Sequence, residues 1–317
     1  MAKKQFKAES KRLLDLMINS IYTHQEIFLR EIISNASDAI DKLAYQALTD
    51  EKVGLSRSDF AIQLKVDEPS RTLTVSDNGI GMDKDEMENN LGTICKSGSL
   101  QFKKDMEKQD DIDIIGQFGV GFYSAFMVAD TVTVVSKKYG SDEAWKWTAS
   151  GADGYTMEPA ERESAGTDVI MTLKADTEDE QYSRFLKTWE LQKLVKKYSD
   201  YIRYPIKLEM EKSRMKEETK DSDKPEYETY TENETLNSMV PLWQRAKKDI
   251  TPEEYNNFYK EKFFDFEDPI ATIHVSVEGA VTYKALLYIP ARAPYDFYTK
   301  DFKKGLQLYS SGVMIME

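Results

Sequence analysis

Apolar positions in the N-terminal part of the chain change from a helical to an alternating period. Between Glu26 and Leu43 they recur every three or four residues, which is typical of a helix with one buried face. Thr23 stands three residues before Glu26, which is the spacing of a capping box. Apolar and polar residues then alternate from Ala61 to Val66 and from Thr72 to Ser76, which predicts two strands joined as a hairpin.

The same two periods predict the remaining elements. Further strands are predicted at Thr131–Ser136, Ala144–Ser150, Asp168–Leu173, Ala271–Val277 and Thr282–Ile289. Helices are predicted at Lys84–Leu91, Phe122–Ala129, Gln181–Tyr198 and after Thr251-Pro252. This order predicts an α+β fold: a two-layer sandwich of helices on a mostly antiparallel sheet, followed by the first part of a second α/β domain.

The segment Ser213–Pro225 is charged and almost free of apolar residues. That composition is typical of a linker, although a solvated hairpin loop fits it nearly as well. We therefore predict a first domain over residues 1–212, a short charged linker over 213–228 and a second domain over 229–317. The last residues, Val313 to Glu317, lie inside an apolar run, which indicates a chain cut within the second domain.

Composition narrows the function classes. The 317 residues include 43 basic and 56 acidic side chains, giving a net charge of −13, which disfavours general nucleic-acid binding. A hydrophobic fraction of 40% is enough for a buried core. The single cysteine, Cys95, excludes an internal disulfide, and with only His24 and His274 besides, a structural metal cluster is not expected. Without a long apolar run, no membrane association is expected, and we predict a soluble cytoplasmic protein.

The first candidate site is a polar stripe on the predicted N-terminal helix. Glu31, Asn35 and Asp38 have i, i+4, i+7 spacing, which places them on one flank of the helix. Taken alone, this spacing is more typical of a solvated stripe. Asn35, however, falls close to the apolar face, where a polar group needs a partner such as a ligand or a cation.

The second candidate is the segment Ser76–Met82, directly after a predicted strand. Asp77 comes at the strand end and is followed by Gly79 and Gly81, which allow a sharp turn or the close approach of a ligand. An ordinary Asp/Gly turn is the alternative. An ionised carboxylate only accepts hydrogen bonds, so it suits an N–H donor such as an adenine amine.

The third candidate is the glycine-rich run Gly116–Gly121 before the helix predicted from Phe122. Glycines at a helix N-terminus leave backbone N–H groups free to bind an anion. The order of glycines matches neither the dinucleotide fingerprint nor a P-loop. A flexible hinge is the alternative.

In this order, and with the later Gly166-Thr167, the three motifs resemble the ATPase superfamily shared by gyrase, MutL-type repair proteins, histidine kinases and the ninety-kilodalton heat-shock chaperones. Longer strings are similar to the last group, bacterial HtpG type. They are EIFLREIISNASDAIDKL (Glu26–Leu43), SDNGIGM, NNLGTICKSGS (Asn89–Ser99), IGQFGVGFYSAFMVAD (Ile115–Asp130), PLWQRAKKDITPEEYNNFYK and LLYIPARAPYD. The resemblance covers essentially the whole chain.

This resemblance implies a role for each motif. Glu31 would orient and activate the attacking water, and Asn35 would ligate Mg²⁺. Asp77 would accept the adenine amine, and residues from about Gly92 to Gly121 would form a lid. The implied nucleotide-binding residues are Asn35, Asp38, Asp77, Gly81, Met82, Asn90, Lys96, Gly116, Gly119, Val120, Gly121, Phe122 and Thr167.

The function implied is that of an ATP-dependent molecular chaperone of the heat-shock response, here its N-terminal ATPase and part of its middle domain. Its cofactors would be ATP or ADP with Mg²⁺, and its partners unfolded or partly folded client proteins. The family's catalytic arginine and dimerisation domain would follow Glu317, so slow hydrolysis and a monomer are expected for this chain, against a homodimer at full length. A DNA-acting ATPase, a histidine kinase and a nucleotide-gated binding module without turnover are the alternatives.

Overall fold

The computed structural model of the protein describes residues 24–93, 115, 119–151, 154–215, 227–279, 281–295, 297–300, 302 and 305–316. Of the predicted site residues, Lys96 and Gly116 lie outside these ranges, as does most of the predicted lid.

The strands assemble into one large sheet and two small ones. They are β1 (Ile62–Asp67), β2 (Thr72–Asp77), β3 (Ala129–Lys137), β4 (Ala144–Ala149), β5 (Tyr155–Ala160), β6 (Gly166–Leu173), β7 (Ile206–Met215), β8 (Tyr227–Thr235), β9 (Ala271–Val277), β10 (Tyr283–Ile289), β11 (Leu308–Ser310) and β12 (Val313–Met316). The large sheet has the order β5-β4-β3-β6-β2-β1-β7-β8. Its pairs are antiparallel except β1–β7. The predicted α+β class with a mostly antiparallel sheet is confirmed.

Four α-helices are described: α1 (Ile27–Gln46), α2 (Lys84–Leu91), α3 (Thr188–Tyr198) and α4 (Pro252–Phe263). Helix α1 buries one face, including Phe28, Ile33 and Ile40, against the large sheet. In β2 every second side chain is buried, namely Leu73, Val75 and Asp77. The period of two therefore places Asp77 on the face of the sheet that carries the core.

The segment after β8 adds one α-helix and two small strand pairs. Helix α4 begins with a capping box between Thr251 and Glu254 and has Pro252 in its first turn. Strands β9 and β10 form one antiparallel pair, and β11 and β12 form another. The strands predicted at Ala271–Val277 and Thr282–Ile289 are confirmed.

Two helix predictions were wrong in part. The segment predicted as a helix over Phe122–Ala129 is a 3₁₀ helix over Gly121–Met127, because Ala129 already pairs in β3. The helix predicted over Gln181–Tyr198 is interrupted at Lys187, which has extended backbone angles between the 3₁₀ helix Tyr182–Leu186 and α3. In both segments the apolar spacing typical of a helix continues past the point where the observed helix ends or breaks. Ala129 is outside the helix because it pairs in β3, and Lys187 is outside because its backbone is extended.

The structure differs locally from two predictions, which are the capping box at Glu26 and the linker over 213–228. Glu26 is itself the N-cap of α1 without a side-chain cap, and it accepts hydrogen bonds from Tyr198 Oη (2.5 Å) and Lys197 Nζ (3.1 Å). Thr23 lies outside the described residues. Within the predicted linker, residues 213–215 and 227–228 are paired strand residues, as in the hairpin alternative, and 216–226 are outside the described ranges.

Candidate functional site

The polar stripe of α1 contains side chains of very different exposure. Asn35 is exposed, although Ser34 and Ala36 on either side of it are buried. Glu31, one turn earlier, is partly buried, and Asp38, one turn later, is 1% exposed. The i, i+4, i+7 spacing thus produces a flank that runs from a half-buried carboxylate through an exposed amide to a buried carboxylate.

The Glu31 carboxylate is held by the residue before it. Arg30 Nε and Nη2 donate to Glu31 Oε1 at 3.0 and 2.5 Å. Arg30 Nη1 also donates to the carbonyl oxygen of Met314 at 3.3 Å. Arg30 was missing from the sequence-based site, because its partner Met314 lies 284 positions along the chain.

The end of the glycine-rich run lies against the same carboxylate. A Cβ atom added to Gly121 would stand 2.4 Å from Glu31 Oε2, so the carboxylate would have to shift to accommodate it. Gly119 has a φ of 64°, in the left-handed region that favours glycine. Val120 precedes the 3₁₀ helix, and the Phe122 ring packs edge-on against Trp147. Gly119, Val120, Gly121 and Phe122 are all partly exposed on this side.

Asp38 connects α1 to the start of that run. Its Oδ1 accepts the N–H of Ile115, which directly precedes Gly116, at 2.9 Å. Asp38 therefore positions this backbone, and its role in nucleotide binding stays a prediction. Lys42, one turn further, was not among the predicted site residues. Burial lowers the pKa of Lys42, while Asp38, Glu86 and Asp77 oppose that shift, so this ammonium group faces the carboxylates of the site.

Asp77 lies at the buried end of β2. Its Oδ1 accepts the N–H of Gly79 at 2.8 Å. Burial raises the pKa of this carboxyl group from 3.8 to about 7, although the Gly79 N–H and the Arg162 guanidinium act in the opposite direction. A buried carboxyl group with a shifted pKa is a frequent mark of a functional site.

The turn after Asp77 requires its glycines. Gly81 has a φ of 65°, and a Cβ atom there would be 1.9 Å from the carbonyl oxygen of Lys137. A Cβ atom on Gly79 would be 2.4 Å from the backbone of Ala39 in α1. The turn therefore packs directly on the helix that carries Glu31, Asn35 and Asp38.

Thr167, Ser136 and Met82 share a network of hydrogen bonds beside Asp77. Thr167 pairs with Asp77 across β2 and β6. Its Oγ1 lies 2.8 Å from Ser136 Oγ, which also accepts the N–H of Met82 at 2.8 Å. Asn90 approaches the same corner, with its Nδ2 atom 4.0 Å from Met82 Sδ. Ser136 was missed because nothing in the β3 sequence distinguishes it from other strand hydroxyls.

All three sequence motifs therefore meet on α1. Among the described residues, no group of three or more His, Cys, Asp or Glu side chains is arranged to hold a metal ion. In the same part of the chain, no helix has the length and apolar character needed to cross a membrane.

Two family sequence models match the chain. One describes the histidine kinase-, DNA gyrase B- and HSP90-like ATPases and matches residues 22–177. The other describes the Hsp90 protein and matches residues 184–229 and 209–317. Together they extend from before α1 to the end of the chain.

Curated relatives agree with these models. The chaperone protein HtpG of Clostridium botulinum (strain Langeland) is 58% identical over 316 residues, that of Clostridium acetobutylicum is 59% identical over 317, and that of Clostridium perfringens (strain 13) is 58% identical over 317. Each match covers 100% of this chain and 50% of the relative, so the chain spans about half the length of the curated relatives it matches. The chain belongs to the Hsp90 family, and over its whole length it is similar to the bacterial HtpG chaperones.

Proposed function

We propose that this chain binds ATP and ADP in the site on α1 and hydrolyses ATP as the nucleotide-dependent part of a molecular chaperone. The observation that carries the proposal is the buried Asp77 carboxyl group, which faces the same helix as Glu31 and the glycine-rich run. The buried acceptor of Asp77 suits the base of a nucleotide. The Glu31 carboxylate, beside the backbone of the glycine-rich run, suits its phosphate end.

The adenine end is assigned to Asp77 and its neighbours. The Asp77 carboxylate accepts the adenine amine, and the Thr167 hydroxyl, with Gly81 and Met82, completes this polar corner. A buried carboxylate discriminates strongly between bases, because a base that lacks the amine leaves the carboxylate without a hydrogen-bond donor.

The phosphate end is assigned to Glu31, Asn35 and the segment Gly119–Phe122, with Asn90, Lys96 and Gly116 contacting sugar and phosphates. The missing side chain of Gly121 lets Glu31 Oε2 lie directly against the backbone of the glycine-rich run, where the attacking water of ATP hydrolysis would be held. Glu31 holds this water and takes its proton as general base, while Arg30 fixes the carboxylate through Oε1.

The residues present suit a magnesium ion that arrives with the nucleotide. Asn35 offers one oxygen on the exposed part of α1, one turn from Glu31. Mg²⁺ commonly takes one or two protein oxygens and completes its shell with phosphate oxygens and water. When bound, the ion neutralises charge that develops on the phosphates.

The wider role proposed is folding assistance to unfolded or partly folded client proteins in the cytoplasm. We propose a homodimer for a chain of the relatives' full length and a monomer for this chain alone. Light scattering measures the mass in solution, and a stable dimer of this chain at micromolar concentration would contradict the second statement.

Calorimetric titration with ADP tests the nucleotide site. Asp77→Asn places an N–H donor where an acceptor is required, so we expect a loss of about 1–3 kcal/mol or more, which is a fall of about fivefold to more than a hundredfold in affinity. Asp67→Asn is the matched control, because Asp67 ends β1 as Asp77 ends β2 but is exposed. Equal ADP affinity in the two variants would contradict the assignment of Asp77 to adenine binding.

A further inference from the structure

Arg162 occupies the turn between β5 and β6, behind the Asp77 corner. Its side chain is 12% exposed. Nε and Nη2 each lie 3.2 Å from a carboxylate oxygen of Asp168, and Nη1 donates to the carbonyl oxygen of Ser164 at 2.5 Å. Nη2 also donates to the backbone carbonyl oxygen of Asp77 at 2.9 Å. One guanidinium group thus joins its own turn, strand β6 and the last residue of β2.

Gly166 fixes the distance between this turn and Asp77. Its φ of 130° is open to glycine but strained for other residues. A Cβ atom at Gly166 would be 2.1 Å from the Asp77 carbonyl oxygen and 2.9 Å from Arg162 Nη2. The turn, the arginine and the end of β2 are therefore packed without space for a methyl group.

The guanidinium binds the backbone of Asp77 and leaves its carboxyl group available. Direct pairing of an arginine with that carboxylate would occupy the acceptor that the adenine amine needs. Here Asp168 takes the ion pair instead. Arg162 can therefore hold the position of Asp77 without consuming its hydrogen-bonding capacity.

We propose that Arg162 is a positioning residue for adenine recognition, which acts by fixing the backbone of Asp77 between β2 and the β5–β6 turn. This inference rests on the proposed function, since it assigns Arg162 to the selection of the base at the same site. Its effect falls on the preference for adenine, while the phosphate contacts on α1 stay as they are.

The chain contains a matched control at the opposite end of the same strand pair. Arg71 directly precedes β2, and its Nη2 atom donates to the carbonyl oxygen of Lys174, just after β6, at 2.5 Å. The same nitrogen pairs with Asp176 at 3.1 Å. Arg71 thus repeats the combination of one backbone carbonyl and one aspartate, but far from Asp77.

The experiment compares the affinities for ADP and inosine diphosphate, which lacks the amine, in Arg162→Gln, Arg162→Lys, Asp168→Asn and Arg71→Gln. We expect Arg162→Gln to lower ADP affinity about tenfold and to reduce the preference for ADP over inosine diphosphate, with Asp168→Asn intermediate. Arg162→Lys should recover part of the preference, since it keeps one donor and the charge. Arg71→Gln should leave the preference unchanged.

A pH profile of ADP affinity separates positioning from general stability. The charged groups that act on Asp77 are Lys42 from α1, Arg162 and Asp168. Loss of the Arg162 charge should move the midpoint of the profile to higher pH, whereas Arg71→Gln should leave it in place.

The outcomes distinguish this inference from the proposed function. If the unaltered chain fails to bind ADP, the proposed function and the role of Arg162 both fall. A second outcome is that the unaltered chain binds ADP and Asp77→Asn does not. If Arg162→Gln and Asp168→Asn then fold and keep the wild-type preference for ADP over inosine diphosphate, only the role of Arg162 is overturned. Equal losses in the Arg162 and Arg71 variants would also overturn it, because they would indicate weakening of the whole sheet.

Discussion

The carboxyl group of Asp77 is buried at the end of β2, and burial raises its pKa from 3.8 to about 7. An unfolded chain would ionise this group near pH 3.8, so the folded chain without nucleotide holds the proton more tightly between pH 3.8 and about 7. The stability that this proton contributes is fully present below pH 3.8 and is lost as the pH rises through about 7. Nucleotide binding, which uses the ionised acceptor, has the opposite pH dependence.

We therefore predict that nucleotide affinity rises with pH up to about 7 and then levels off, with a slope of about tenfold per pH unit on the acidic side. Calorimetric titrations between pH 5.5 and 8 would measure it. Adenosine titrated in parallel with ADP separates Asp77 from the phosphates, because only ADP carries a titrating phosphate. A flat profile for adenosine would contradict the role assigned to an ionised Asp77.

Glu31 should separate chemistry from binding. In a chain of the relatives' full length, where hydrolysis is expected to be faster, we predict that Glu31→Gln lowers ATP hydrolysis by roughly 10²–10⁴-fold with near-normal ATP affinity, since the amide cannot take a proton. The glutamine keeps an oxygen acceptor for Arg30, so loss of the Arg30 contact would not explain the effect. Phosphate release and calorimetry measure the two quantities. A variant that loses affinity and rate together would make Glu31 a binding residue.

At the scale of elements, the contact between the glycine-rich run and α1 sets the space beside Glu31. We predict that Gly121→Ala lowers hydrolysis more than affinity, because its Cβ must displace a carboxylate that it would meet at 2.4 Å. A misplacement of about 1 Å can reduce a rate by about 10²-fold.

Gly279→Ala is the control for this substitution. A Cβ atom there meets nothing within 4 Å, and Gly279 has no positive φ. Single-turnover measurements would compare the rate of ATP hydrolysis in the two variants. Unchanged hydrolysis in Gly121→Ala would show that the glycine-rich run is remote from the reacting atoms.

Elements with a clear buried face could be predicted from the sequence. The predicted strand Thr72–Ser76 is β2, observed as Thr72–Asp77, and Lys84–Leu91 is α2 without change. The strand β5 was missed because it lies at the sheet edge with mostly exposed residues, so its sequence carries no alternation. Strand β8 is likewise an edge strand rich in polar residues. Polar edge strands are held in the sheet by backbone hydrogen bonds, and the periodicity of side chains does not indicate such bonds.

The candidate site could be proposed from the sequence where its residues lie close together along the chain. Asp77 with its two glycines and the Glu31–Asn35–Asp38 stripe depend on spacings of a few residues. Arg30 and Arg162 were not predicted, because their partners Met314 and Asp77 are 284 and 85 positions away. A single sequence contains no signal for such pairings, and an arginine in a turn looks like an ordinary surface residue.

At the scale of the whole molecule, charge separates the leading function from its main alternative. A DNA-acting ATPase needs a basic surface, whereas this chain carries a net charge of −13. A further alternative, a nucleotide-gated module without turnover, would have the same binding site and differ only in hydrolysis. The Glu31 comparison therefore tests the choice between an enzyme and a binding module.

The end of the described chain also belongs to the core of the ATPase region, which is the part of the fold built from α1 and the large sheet. Val313 and Met314 of β12 are buried in the same cluster as Phe28 and Ile33 of α1. A Cβ atom on Gly312 would lie 2.2 Å from the carbonyl oxygen of Tyr201, so this turn rests directly on the backbone after α3. Together with the bond from Arg30 to the Met314 carbonyl oxygen, these contacts connect β12 to the helix that carries Glu31.

We predict that Met314→Ala lowers the free energy of unfolding of the ATPase region by about 2–5 kcal/mol, because it leaves a cavity where a side chain is now 2% exposed. Met316→Ala, in the same strand but 62% exposed, should change it by no more than about 0.5 kcal/mol. Urea unfolding followed by tryptophan fluorescence measures both, and nucleotide at 100 times its dissociation constant should add about 2.7 kcal/mol to each variant. If β12 were only an appendage, Met314→Ala would produce a separate early transition and leave the nucleotide-stabilised one unmoved. A single transition that shifts as a whole would mean that the stability of the Glu31 helix depends on a strand nearly 300 residues away.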